Sequence, residues 1–183
     1  MIVFSAMTDS PDDRNLFEQV YTEHRDALYH CAYHILQDNA TSEDAVHDAF
    51  LSLAKNFGRY QHLTKSQMRN FLIITVRNAA FKLYNRRKRE TAVDEIWSEE
   101  ELPDAAVDTE QKDSKRLLFD LIKTMDRKYG DVIILKYYCD LSITEIAEQL
   151  SLTEDNVKVR LYRARALLKK KLEEVGIHDR QGI

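Results

Sequence analysis

The stretch LSITEIAEQLSLTEDNVKVRLYRARALLKKKL, residues 141–172, decides how the chain is read. Ile143, Ile146, Ala147 and Leu150 recur at helical spacing and give a short helix one apolar face. Ser151 and Leu152 make a turn. Thr153 is a good N-cap for a second, longer helix, whose inward face carries Val157, Leu161 and Leu168. The opposite face holds Lys158, Arg160, Tyr162, Arg163 and Arg165. Glu154 and Asp155 sit at the start of this helix, and nearly every later charge is positive until Glu173. A helix with hydrogen-bonding cations on one side and aliphatics on the other fits a DNA major groove. The plainer alternative is a helical hairpin with a solvated charged face. The ordered placement of the charges favours the groove-binding reading.

Outward from this stretch, composition sets the limits. A chain of 183 residues allows one medium domain or two small ones. Four Gly and two Pro, among plentiful Leu, Ala, Glu, Lys and Arg, predict an all-α protein. The net charge of −4 argues by itself against a nucleic-acid binder, but the charge is segregated along the chain. No run is long and apolar enough for membrane insertion, and MIVFSAMTDSPDD lacks the basic start of a signal peptide. Cys31 and Cys139 lie far apart in apolar helical contexts and read as reduced core thiols of a cytoplasmic protein.

The chain is expected to divide into two small helical domains joined by a flexible acidic linker. Residues 1–14 read as an N-terminal tail and 15–89 as the first domain. Residues 90–111, ETAVDEIWSEEELPDAAVDTEQ, hold nine acids, no Lys or Arg, and Pro103, so 90–112 reads as the linker. Residues 113–175 form the helix-turn-helix domain, and 176–183 a C-terminal tail. In the first domain Phe17, Val20, Tyr21, His24, Leu28, Cys31, Ala32 and Ile35 mark one amphipathic helix. After a polar break at 37–41, Thr41 or Ser42 caps a second, with Val46, Ala49, Phe50, Leu53 and Phe57 as its stripe and Gly58 at its end. Residues 59–66 are a polar loop. A third helix starts near Lys65 and carries Phe71, Leu72, Thr75, Val76, Ala79 and Leu83.

Between Arg69 and Arg89 there are seven Lys or Arg and no acid, with Phe81 and Tyr84 interleaved. Cations beside aromatics suit single-stranded or melted nucleic acid, where bases stack. A basic helix end also complements its own dipole. That accounts for the last turn, but not for Arg69, Arg77 and Lys82.

Three motifs together carry a resemblance: SEDAVHDAFLSLAKNF (42–57), FLIITVRNAAFKLYNRRKR (71–89) with its Arg77-Asn78 pair, and the helix-turn-helix. In this order and spacing, over residues 17–172, the chain resembles bacterial RNA polymerase sigma factors of the extracytoplasmic-function group. These keep only regions two and four of the larger sigma factors. The chain departs from the family pattern at His47, where Gln is usual, and at Lys82, where Asp is common. It departs again at Ser151, which replaces the usual turn Gly.

The resemblance implies a protein that binds core RNA polymerase, recognises −10 and −35 promoter elements and promotes melting. Asp44, His47, Asp48 and Leu51 would face the polymerase clamp. Residues 56–66 would form the specificity loop that takes a flipped −10 base, with Tyr60, Gln61 and His62 as pocket groups and Arg59 and Lys65 on phosphates. Arg69, Arg77, Asn78, Arg86, Arg87 and Arg89 would grip the backbone of the melted strand. Asn156, Lys158, Val159, Tyr162 and Arg163 would face −35 bases or nearby phosphates, and Arg160, Arg165 and Lys169 the backbone. The helix pair 114–125 and 129–140 would hold the flap of the polymerase β subunit. The acidic linker would either enter the cation-lined polymerase cleft or serve as a solvating tether.

The implied partners are core polymerase at clamp and flap, promoter DNA as duplex and single strand, and an anti-sigma factor. The free protein is expected to be a cytoplasmic monomer, not an enzyme, with no cofactor and no metal. His30 and His34, four apart on a helix, lack companion ligands and read as ordinary helix histidines. Two rival readings are a helix-turn-helix regulator that binds duplex DNA without entering polymerase, and a partner-docking module.

Overall fold

In the computed structural model, residues 11–97 and 109–176 are described, with side chains over 11–89 and 113–176. Every regular element among the described residues is helical. The chain divides into two compact units, Met1–Leu102 and Pro103–Ile183.

The first unit holds α1 (Pro11–Leu36), α2 (Asn39–Ala54), the short α3 (Phe57–Tyr60) and α4 (Lys65–Trp97). α1 begins at Pro11, four residues before the expected start and within the expected tail. Proline at the first helical position has its φ preset, and Asp12 and Asp13 complement the helix dipole there. α1 ends at Gln37, which takes a left-handed φ of 53°. The amide of Gln37 donates to the carbonyls of Tyr33 and His34 and so caps the helix end.

α2 starts earlier than expected because Asp38, rather than Thr41 or Ser42, caps it. The Asp38 carboxylate accepts from both the backbone N–H and the hydroxyl of Thr41, at 2.9 and 2.8 Å. Gly58 does not end α2. It lies inside α3, whose Phe57 is buried and meets Phe17 edge-on at 5.4 Å.

Phe17, Val20, Leu28, Cys31 and Ile35 of α1 pack with Val46, Ala49, Phe50 and Leu53 of α2. α4 closes this core with Met68, Leu72, Ile73, Val76, Ala80 and Tyr84. The buried stripe of α4 is therefore rotated from the expected one: Thr75, Ala79 and Leu83 are only half-buried. A helix covered by two neighbours buries a wider arc than one stripe predicts. α4 also continues to Trp97, eight residues into the expected linker, and α5 resumes at Thr109. Glu and Ala are good helix formers, so acidity does not break a helix by itself. Residues 98–108 of that linker and the tail from 177 lie outside the described residues, as do residues 1–10.

The second unit holds α5 (Thr109–Lys123), α6 (Arg127–Ile133), α7 (Ile143–Leu150) and α8 (Glu154–Glu174). Asp126 caps α6 by accepting from Lys128 N–H. That hydrogen bond, and the Lys128 ammonium, hold its carboxyl below the ordinary carboxylate value. The expected straight helix over 129–140 changes hand-over pattern at Ile134: residues Ile134–Tyr138 form a π turn. Cys139 N–H reaches Ile134 O at 3.1 Å and Leu141 N–H reaches Leu135 O at 3.0 Å. Asp140 is left-handed (φ 50°), and Lys136 Nζ donates to Leu141 O.

Cys31 and Cys139 are both buried, as expected of their apolar helical contexts.

Candidate nucleic-acid interface

The helix-turn-helix is built by local signals. Ser142 caps α7 in a reciprocal box with Glu145: Glu145 N–H donates to Ser142 Oγ at 3.2 Å, and Ser142 N–H to Glu145 Oε2 at 2.8 Å. Ile146 and Ala147 are buried, and Ser151 then turns the chain at φ 53°, ψ 47°, with Leu152 N–H closing on Ala147 O. Thr153 caps α8 through Asn156 N–H at 3.3 Å. Val157, Leu161 and Ala164 face the core, while Leu168 is half-buried.

The expected −35 face of α8 lies outward. Asn156, Lys158, Val159, Tyr162, Arg163, Arg165 and Lys169 are exposed, and Arg160 is half-buried. Val159 is 46% and Tyr162 72% exposed, and both stand on the cationic side of the helix. Lys158 Nζ pairs with Asp155 one turn back at 3.2 Å, an exposed pair worth little in water. Sequence reasoning missed Thr144, whose hydroxyl donates to Glu154 Oε1 at 2.8 Å and ties α7 to the start of α8. The two residues are ten apart across a turn, and no periodicity links them.

In the first unit, Asp44, His47 and Asp48 share the exposed side of α2, with Leu51 half-buried beside them. The expected polar loop is more ordered than a loop. Phe57 anchors it to the core, and α3 ends in Tyr60. A reciprocal cap then starts α4: Thr64 N–H donates to Gln67 Oε1 at 3.0 Å, and Gln67 N–H to Thr64 Oγ1 at 3.3 Å. Tyr60 is half-buried and its ring stacks on Phe71 at 4.3 Å and 27°. The Arg59 guanidinium lies 5.8 Å from the Tyr60 ring centre. Gln61 is half-buried and His62 exposed. Lys65, expected on a phosphate, pairs with Glu23 at 3.3 Å.

The cations of α4 separate into two groups. Arg86, Arg87 and Arg89 are exposed, as is Asn78, and Arg69 is half-buried. Arg77 is only 6% exposed and sits 5.7 Å from the Phe81 ring, so the structure places it in the packed layer rather than at the surface. Tyr84 is likewise core, not an exposed stacking aromatic. His24, behind α4, is buried too. Burial holds its imidazole below the ordinary value of 6.5; Glu23 opposes this, and Arg69 and Lys65 reinforce it.

The model for sigma-70 region 2 matches residues 20–90, and that for sigma-70 region 4 matches residues 115–168. The chain belongs to the sigma-70 family. Its relatives place it in the extracytoplasmic-function group. It is 29% identical over 167 residues to the RNA polymerase sigma-E factor of Streptomyces avermitilis, covering 90% of this chain and 89% of that one. It is 26% identical over 176 residues to the ECF RNA polymerase sigma factor SigW of Bacillus subtilis, covering 89% and 92%. Among solved structures, CnrH in complex with the cytosolic domain of CnrY aligns with a TM-score of 0.56 and 16% identity, covering 94% of this chain and 96% of that one. The sigma factor RpoE in complex with the anti-sigma factor NepR, from Bartonella quintana, aligns at 0.52 and 19%, covering 86% and 96%. These two likenesses carry the fold. The chain is thus a sigma factor, a protein that acts with RNA polymerase and promoter DNA in transcription initiation; a free-standing operator binder is not favoured. No described helix is long and apolar enough to cross a membrane.

Proposed function

We propose that this sigma factor divides promoter recognition between the outward face of α8 and the corner between α3 and α4. Asn156, Lys158, Val159, Tyr162 and Arg163 read the −35 element, with Arg160, Arg165 and Lys169 on phosphates. The observation that carries this reading is the split of α8: Val157, Leu161 and Ala164 are buried while Val159 and Tyr162 stand in solvent among cations. A monomeric domain has no folding reason to expose both; a thymine methyl and a base edge give them partners.

At the other end Tyr60, Gln61 and His62 receive an unpaired −10 base, and Arg59, Arg69, Asn78, Arg86, Arg87 and Arg89 hold the melted strand. Arg77, from its buried position, supports the Arg69 to Arg89 surface from beneath. Lys65 reaches phosphate by exchanging its surface pair with Glu23. Asp44, His47, Asp48 and Leu51 dock on the polymerase clamp, and α5 with α6 on the flap. The two functional domains span 15–89 and 113–175, with the acidic segment between them passing through the polymerase. The protein acts in the cytoplasm, where polymerase is, and enters it as a monomer. It performs no covalent chemistry: melting is driven by binding single-stranded bases and phosphates. The relative solved with an anti-sigma factor supports control of this chain by a sequestering partner of that kind.

The experiment is run-off transcription with core polymerase, combined with permanganate footprinting of promoter thymines. Replacing Tyr60-Gln61-His62 by alanine should reduce melting and relax preference at one −10 position while sparing closed-complex binding. Stacking is worth about 1–3 kcal/mol per base and is gained only after melting. Unchanged melting and preference would reduce this corner to a connector.

A further inference from the structure

We infer that Phe71 is a positioning residue for −10 recognition: stacked beneath Tyr60, it presents that ring as a pre-set platform for the unpaired base. The inference rests on the reading of residues 56–66 as the base pocket, and adds a residue that contacts no DNA in that reading.

The geometry is fixed from both sides. Tyr60 stands at the end of α3, which Phe57 pins to the core against Phe17. Phe71 stands two turns inside α4, whose start is locked by the Thr64–Gln67 reciprocal cap. The rings meet at 4.3 Å with 27° between their planes, a stacked arrangement, whereas the core aromatic pairs Phe17–Phe50 and Phe17–Phe57 meet edge-on. Edge-on or offset contacts satisfy ring quadrupoles in a core. A near-parallel pair extends its stacking direction outward, which is the geometry a further flat ring needs. Both rings are half-buried, and the exposed Arg59 guanidinium lies over the Tyr60 ring, 5.8 Å from its centre, where it can accompany a base or its phosphate.

The physical benefit is pre-organisation. A base stacking on a free tyrosine must first restrict the side-chain torsions of that tyrosine, and the cost is subtracted from affinity. A tyrosine already stacked on its own scaffold has met this cost during folding. Phe71 acts on the base only through Tyr60 in this scheme. Replacing it with an aliphatic residue of similar volume keeps the packing and removes the flat support.

The test uses the full chain with core polymerase on promoters varied at each −10 position. The variants are Tyr60→Ala, Phe71→Leu, Phe71→Met, Phe71→Trp and the double variant Tyr60→Ala with Phe71→Leu. Thermal unfolding and closed-complex binding are followed alongside permanganate reactivity and base preference. Phe71→Leu should lower open-complex formation roughly tenfold. It should relax preference at the same promoter position as Tyr60→Ala, with no further loss in the double variant. Phe71→Trp should restore both. Phe71→Met gives the same reading should the leucine variant unfold early. If Tyr60→Ala relaxes that position but both aliphatic variants at 71 retain wild-type melting and preference, the platform idea is overturned while the base pocket stands. If Tyr60→Ala changes nothing, the pocket itself is absent and the inference goes with it. Additive losses, or losses that track only unfolding temperature, would make Phe71 a packing residue and overturn the inference.

Discussion

Arg163 shows how much a single side chain can be asked to do. It is exposed on α8 one turn beyond Val159, with the buried Leu161 and Ala164 turned away from it. A guanidinium there reaches a base edge in bidentate fashion, and losing such a contact costs about 1–3 kcal/mol of discrimination. Arg163→Ala should therefore weaken use of promoters with an intact −35 element by roughly 5- to 150-fold, while polymerase assembly is unchanged. Transcription from promoters with intact and scrambled −35 elements makes the comparison; an equal loss on both would mark Arg163 as a phosphate contact. Residue-level legibility was high where the signal was local. Thr153 as a cap and the turn at Ser151 both follow from neighbours within four positions. It was low where the partner is remote: Tyr60 meets Phe71 and Thr144 meets Glu154 across turns that no spacing rule spans.

Among the elements, α4 departs furthest from its sequence reading. Its periodicity gave a helix and its start, but not which side faces in, because α1 and α2 both cover it. Arg77 and Tyr84 therefore looked like surface groups in sequence and are buried in the structure. The same packing should make the first unit sensitive to acid. His24 lies on α1 with Glu23 beside it and Arg69 and Lys65 of α4 acting on it, and burial depresses its folded pKa below 6.5. The unfolded chain thus takes up the proton first. The stability contributed by neutral His24 is complete above about pH 6.5 and is lost as pH falls through the folded value. Thermal unfolding at pH 7.5 and 5.5 should show a smaller acid-induced drop in Tm for His24→Gln than for the wild type. Parallel drops would place the acid sensitivity elsewhere.

For the whole molecule, charge distribution decides behaviour before any partner arrives. The chain carries 27 basic and 31 acidic residues, yet the basic ones concentrate in 69–89 and 158–171 while 90–111 has none. A net anion with two cationic segments is repelled by DNA at long range and attracted only when those segments are aligned on it. The free protein should bind duplex promoter weakly and with a steep salt dependence, and tightly only as holoenzyme. Gel-shift titration tests this: nanomolar, sequence-specific binding without polymerase would favour a free-standing regulator. Composition and three motifs made the all-helical, two-unit plan legible. The extension of α4 to Trp97 was not, because acidic residues serve helices and linkers equally.

The π turn at Ile134–Tyr138 bears on how such a protein can change length. A π turn is an α-helix holding one residue in surplus. Here the surplus is visible: Leu135, Cys139 and Leu141 are buried on either side, while Tyr137 is pushed into solvent, 52% exposed. Deleting Tyr137 would convert the bond from Cys139 N–H to Ile134 O into an ordinary α-helical one. The wider bond from Leu141 N–H to Leu135 O would become that of a Schellman end. Removing a residue from a helix normally rotates all that follows by about 100° and ruins the core. At this position the deletion should leave a folded second unit, with a Tm within a few degrees of wild type, whereas deleting Leu161 should not. The π turn is therefore a site where the domain can lose a residue, or have gained one, without losing its recognition helix.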